Sequence, residues 1–192
     1  PAKLLPLPCV LANCESDGEK VASYIPDDEQ GQYTAVRALL TEGYRRPLCL
    51  HLPEGHVATT RRRQGLERAC REAGLDPDSL AHSYMTLGDE HYRDIPSVLL
   101  AHVQNGIPGF DSVICGNDRI AFMVYQTLLA QGLRIPEDVA VIGYDNMVGI
   151  GELFLPPLTT VQLPHYEIGR LSALHIINGE EHQNTTRVES PF

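Results

Sequence analysis

A doubly wound α/β fold follows from three observations on this 192-residue sequence. Short runs of consecutive apolar residues, such as 112–115 (SVIC) and 139–142 (VAVI), alternate with longer segments of helical period. A sheet with one wet face would show strict alternation, so continuous apolar runs mean strands covered on both faces. Glycines stand just past several helical segments, where a left-handed residue closes the last turn. Strand and helix in turn along the chain give parallel sheets flanked by helices.

The elements follow in order. Residues 8–13 (PCVLAN) read as the first strand. Residues 31–43 (GQYTAVRALLTEG) place Ala35, Leu39 and Leu40 on one helical stripe and end at Gly43. Residues 47–52 (PLCLHL) form the next strand. A helix covers 59–74, where Thr59 or Thr60 is suited to cap it, Leu66, Ala69 and Ala73 face inward, and Gly74 stops it. A strand at 82–86 and a helix at 95–104 repeat the unit. A strand at 112–115 leads to a helix at 118–130. Strands at 139–142 and 158–161 follow, then a helix at 165–177.

Composition narrows the function. Net charge is −10, and the one dense basic cluster is Arg61-Arg62-Arg63, so these residues do not read as a nucleic-acid grip. No apolar run approaches the roughly 18–20 residues of a membrane span, and no membrane partner is expected. Residues 1–10 are too short and proline-broken for a signal peptide. Five cysteines without a C-x-x-C pair suit reduced thiols in the cytoplasm, most of them small core hydrophobes. His82, His91 and His102, or His51 with His56, match no zinc template, and no nucleophile elbow or phosphate-binding loop occurs. The paired acids Asp27-Asp28 read as a solvated turn. Neither a metal, nor a cofactor, nor catalysis is expected.

Polar residues stand just past three strands: Asn13, Asn117 and Asp145. Ligands of doubly wound sheets sit beyond the carboxyl ends of the strands. A carboxylate can accept from two neighbouring hydroxyls, and an amide both donates and accepts, which suits a polyhydroxylated small molecule. The alternative is that each caps the helix or turn that follows it.

The segments 114–121 (ICGNDRIA), 132–146 (GLRIPEDVAVIGYDN) and 156–161 (PPLTTV), with 59–65 (TTRRRQG), resemble the LacI/GalR family of bacterial transcription regulators over essentially the whole chain. The resemblance implies a two-lobed, periplasmic-binding-protein-like effector domain behind a DNA-binding head. Placed on that pattern, residues 27–161 with 184–192 form the far lobe. Residues 1–26 with 163–183 form part of a near lobe, and the head is absent. It implies ligand contacts from Arg62, three residues before Gly65, and from Asn117 and Asp145. Asn13 stands where many members have an aspartate, His165 lies at a crossover, and Tyr144 is expected to pack. The chain has no tryptophan to stack on a sugar, so Asp89, His91 or Tyr92 stands as a substitute.

The effector is expected to be a sugar, sugar acid or related metabolite held between the lobes. Operator DNA would be bound only through the absent head. A homodimer is expected to use apolar surface on the 31–40 helix and the 147–154 segment (MVGIGELF). The competing readings are a periplasmic-type sugar receptor of a transport system and, third, an α/β enzyme of sugar metabolism.

Overall fold

The computed structural model describes residues 7–16, 20–86, 88 and 92–192. Two compact units result: residues 1–27 with 163–191, and residues 28–162 with Phe192.

The first unit holds β1 (Val10–Ala12) and β2 (Ala22–Pro26). In the second unit the order is α1 (Asp28–Thr41), β3 (Pro47–His51), α2 (Val57–Glu72), β4 (Ala81–Tyr84) and α3 (Ile95–Ala101). It continues with β5 (Val103–Gln104), β6 (Ile107–Pro108), β7 (Ser112–Cys115), α4 (Asp118–Ala130), β8 (Ala140–Asp145) and β9 (Thr159–Gln162). The chain then returns to the first unit as α5 (His165–Ile177) and β10 (Thr185–Val188).

The larger unit is a five-stranded sheet ordered β4-β3-β7-β8-β9, with every pairing parallel. One face buries Leu48, Leu50, Val113, Cys115 and Val141 against Ile95 and Leu99 of α3 and Ile120, Val124 and Leu128 of α4. Alternation along the strands sends Cys49, Ile114 and Ile142 to the opposite face, where they are also buried. Cys70 of α2 is near enough to Cys49 to act on its thiol, so α2 lies on that side. The chain leaves β3 toward β4 on one side and later returns to β7 on the other, which makes the β3/β7 boundary a topological switch point.

Two of the helices in this unit end as the glycine pattern predicts. Gly74 (φ 74°) and Gly132 (φ 74°) follow α2 and α4 in the left-handed region. Leu75 N donates to Cys70 O and Gly74 N to Arg71 O; Leu133 N donates to Leu128 O and Gly132 N to Leu129 O. Each is a Schellman closure that satisfies the last carbonyls of its helix.

Several boundaries differ from the sequence reading. Helix α2 begins two residues before Thr59, with His56 as N-cap, and the Thr59 hydroxyl donates instead to Pro53 O at 3.0 Å. Helix α3 stops at Ala101 because Asn105 (φ 51°) and Gly106 (φ 76°) form the tight turn of a hairpin joining β5 and β6. The apolar positions of α1 (Ala35, Val36, Leu39 and Leu40) are all buried within the unit, so that helix offers no apolar stripe to a partner.

The smaller unit is a parallel sheet ordered β1-β2-β10 on which α5 packs, with Tyr24, Ile168 and Val188 at its centre. The sequence reading assigned residues 184–192 to the far lobe, and the structure places β10 in the other unit. Thr185–Val188 pair with Ser23–Pro26, Asp27 N donates to Val188 O at 2.8 Å, and Arg187 lies 3.7 Å from Asp27. The second edge of β2 needs a partner for its peptide groups, and β2 itself was not recognised as a strand. Phe192 alone joins the larger unit, lining a cavity with Tyr44, Tyr125 and Pro156.

Gly65 sets the α1–α2 distance: a Cβ there would lie 2.1 Å from Glu29 O and 2.9 Å from Tyr33 N, both main-chain atoms. Gly65→Ala is therefore expected to lower stability by about 3 kcal/mol, the upper end of ordinary overpacking, because backbone and not a side chain must yield. Urea unfolding of the variant beside the parent checks this, and a loss under about 1 kcal/mol contradicts so close a packing of α1 on α2.

Candidate functional site

Arg62 is the centre of the larger unit's polar end. Although it stands between two arginines in the first half of α2, it is only 7% exposed. Its Nε donates to Asp28 at 2.8 Å and its Nη1 donates to the carbonyl of Gly116 at 2.6 Å. The guanidinium carbon lies 3.6 Å from the centroid of the fully buried Tyr144 ring. A planar cation stacked on an aromatic face and forked between two acceptors has one available orientation. The Asp145 carboxylate stands 3.8 Å from Nη1, beyond hydrogen-bond reach but within strong electrostatic range.

Asp28 differs from its expected role. The sequence reading placed it in a solvated turn; it is 4% exposed and is the buried counter-ion of Arg62. An isolated buried guanidinium is too costly to keep, so position 28 requires an anion once Arg62 points inward.

Asn117 is the N-cap of α4: its side-chain oxygen accepts from Ile120 N at 2.9 Å, while its amide nitrogen donates to Tyr92 Oη at 2.9 Å. It thus fulfils the capping alternative and still holds a tyrosine hydroxyl at the strand end. Tyr92, one of the three residues suggested in place of a tryptophan, is therefore in contact with a candidate residue. Asp89 and His91 lie outside the described residues.

Asp145 ends β8 with φ 115°, followed by Asn146 at φ 47°. Asp118 holds this unusual path. Its carboxylate accepts from Met147 N at 2.9 Å and Thr160 Oγ1 at 2.6 Å and is 1% exposed. Burial raises the Asp118 carboxyl above its ordinary value, opposed by these bonds. Gly143 makes room for it: a Cβ there would sit 2.3 Å from Asp118 Oδ1. Sequence reasoning missed Asp118, since an acid in a helix's first turn is explained by the helix dipole alone.

Arg62, Asn117 and Asp145 are thus brought to one end of one sheet, with Gly116 linking the first two and the Arg62–Asp145 approach the others. The described neighbourhood includes a cavity of about 10 Å³, room for a single water, lined by Gln32, His51, Thr59, Arg62 and Gly116. Asn13 and His165 belong to the smaller unit. Asn13 is exposed at φ 59°, a conformation asparagine tolerates, and its N donates to Tyr24 O at 2.8 Å. His165 is exposed as the first residue of α5.

Burial raises the Asp145 carboxyl to about 6, with Arg62 opposing and Asp118 and Asp28 reinforcing the rise. The folded state then binds a proton that the unfolded state has released between about pH 4 and 6. The stability attached to that proton is present below this window and is lost as pH rises through 6. Asp145→Asn cannot ionise, so its stability relative to the parent is expected to be higher at pH 7 than at pH 4. Denaturant melts of both proteins at the two pH values read this, and an unchanged difference contradicts the raised pKa.

The likeness to known proteins extends over the whole chain. All of residues 1–192 match the family model described as periplasmic binding proteins and sugar binding domain of LacI family. The sucrose operon repressor of Escherichia coli is 56% identical over 183 residues, covering 95% of this chain and 55% of the repressor. The chain thus spans about half the length of the curated relatives it matches. A crystal structure of a LacI-family regulator from Rhizobium etli superposes with a TM-score of 0.85 at 29% identity, over 98% of this chain and 69% of that one. A LacI-family regulator from Enterococcus faecium, solved with bound ribose, gives 0.79 at 28% identity over 95% and 67%. No helix among the described residues is long and apolar enough to cross a membrane. On the full-length family match and the 56% identity, this chain belongs to the periplasmic-binding-protein and LacI sugar-binding-domain family.

Proposed function

We propose that this chain is the effector-sensing part of a LacI-type transcription regulator that binds a sugar at the Arg62/Asn117/Asp145 end of the larger unit. The observation that carries this reading is the fixed guanidinium of Arg62 beside the carboxylate of Asp145. A ligand with adjacent hydroxyls can donate to the carboxylate and accept from the guanidinium at once. Asn13 and His165 stay in the proposal on the family resemblance alone. The relative's name ties it to a sucrose operon, and we take sucrose or one of its hexoses as the first effector to try. The similarity to repressors favours a regulator over a transport receptor and over an enzyme, and a cytoplasmic location goes with it. Contact with operator DNA is proposed for a part of the protein outside these residues, given their net charge of −10. The effector would act by its differential affinity for operator-binding and non-binding arrangements.

The test is a calorimetric titration with sucrose, glucose and fructose. Arg62→Ala is a poor probe, because it orphans Asp28 and disturbs the fold. Asp145→Asn is the better one. Binding is expected to strengthen as pH rises through about 6, where the Asp145 carboxylate ionises, and Asp145→Asn is expected to bind weakly with no such dependence. Equal affinity in parent and variant places the ligand elsewhere.

We also propose that the chain pairs with a second copy through the 147–154 segment and α4. Leu153 and Leu155, 79% and 83% exposed, line one cavity with Ile150 and with Phe122 and Leu129 of α4, at 46% and 49%. A contiguous apolar face of this kind calls for a partner. Leu153→Asp is expected to shift the protein to monomer in sedimentation velocity, and an unchanged sedimentation coefficient removes this face from the interface.

A further inference from the structure

The smaller unit carries a second cluster, at the C-terminal end of α5 and apart from any residue assigned to effector binding. His175 lies in the last turn of α5, Gly179 follows the helix at φ 64°, and His182 stands just before β10. Glu180 N donates to His175 O at 3.0 Å and Gly179 N to Ile176 O at 3.2 Å, the same Schellman closure that ends α2 and α4. The motif brings its sixth residue over its first. At α2 and α4 those residues are Leu75 over Cys70 and Leu133 over Leu128, all of low polarity. At α5 they are Glu180 and His175, so this turn sets a carboxylate over an imidazole.

The resulting geometry is that of a ligand set. His182 Nε2 is 3.1 Å and His175 Nδ1 3.8 Å from Glu180 Oε2, and all three ligand atoms lie within 4.8 Å of one another. An ion with tetrahedral bonds of about 2.0–2.1 Å holds its ligands about 3.3 Å apart, a value these two separations bracket. The buried Tyr24 hydroxyl is 3.2 Å from His175 Nδ1 and 3.4 Å from His182 Nε2, the same nitrogens offered to the ion, so it draws the two together and gives up these hydrogen bonds when the ion binds. The helix C-terminus adds partial negative charge that favours a cation. The cluster opens on a cavity of about 640 Å³, so coordination positions left by the protein can be filled by water.

A second histidine-containing group, Cys49 with His51 and His82, converges as closely but is a poorer candidate. His51 Nε2 and His82 Nδ1 are 2.8 Å apart, well inside the separation of two ligands of one ion, and His82 Nε2 lies 2.9 Å from Pro77 O. Burial drives the Cys49 thiol well above its ordinary value, which withholds the thiolate that a metal needs.

We propose that His175, Glu180 and His182 form a site for a divalent transition metal of the zinc class, completed by water, that ties the end of α5 to the approach to β10. Two imidazoles and a carboxylate suit zinc and its neighbours, whereas calcium and magnesium prefer oxygen alone.

Zinc titration of the tag-free protein by calorimetry is expected to show one ion per chain and a melting temperature that rises with free zinc. His182→Ala and Glu180→Gln replace partly exposed side chains and are expected to melt like the parent without metal, while each weakens zinc binding about tenfold or more. X-ray absorption of the zinc complex is expected to show only nitrogen and oxygen neighbours at about 2.0–2.2 Å. A sulfur shell, which would assign the ion to the cysteines, overturns the proposal. So does unchanged affinity in both variants, or the absence of one-to-one binding in the parent.

Discussion

The burial of one guanidinium constrains most of what surrounds it. Once Arg62 turns inward from α2, an anion must meet it, and Asp28 at the start of α1 does. Removing one partner of such a pair costs roughly 3–5 kcal/mol, because the charge left behind stays buried. The pair therefore joins the two helices as well as any apolar contact does, and Gly65 lets those helices approach closely enough for it to form. The same cation bonds the Gly116 carbonyl past β7 and stacks on Tyr144 in β8. A helix pair and two strand ends are thereby registered on a single side chain, which stands next to the carboxylate that receives the ligand in our reading.

Asp118 does for the β8 loop what Asp28 does for Arg62. The backbone from Asp145 to Asn146 runs through a region that favours glycine, and non-glycine residues stay there only when the surroundings enforce it. Asp118 enforces it by bonding beyond the loop, to Met147 N and Thr160. Asp145 is consequently aimed by an acid from a neighbouring helix, and that acid's charge adds to burial in raising the affinity of Asp145 for a proton.

The fold was legible where local signals and burial agreed. Residues 118–130 and 165–177 were read with the observed bounds, because apolar period and glycine stops coincide there. The strand at 22–26 was missed: ASYIP mixes polar and apolar residues, and a proline at its end argues against a strand. All five residues are nevertheless buried, because β1 and β10 flank the strand and α5 covers it. Without β2 there was no edge for 185–188 to join, and the last strand went to the wrong unit. That Arg62, Asn117 and Asp145 share one end of the larger sheet was legible from strand-end position and family spacing. Asp28 and Asp118 were not, since nothing in a local window marks which surface-like acid will be covered by distant chain. Neither was the His175–Glu180–His182 cluster, whose spacing is ordinary until a helix closure folds its middle member back.

The contact between Gly143 and Asp118 also restricts how the sequence can drift. A methyl at position 143 would meet an Asp118 oxygen at 2.3 Å, the hardest of its contacts, with Leu158 Cδ2 at 2.9 Å and Thr160 Oγ1 at 3.2 Å behind it. Replacing Asp118 by a smaller residue eases the restriction on 143, since the Leu158 side chain can shift, but releases the β8 loop. Substitutions at the two positions are therefore ordered: a change at 118 can open the way to one at 143, and the reverse route is closed.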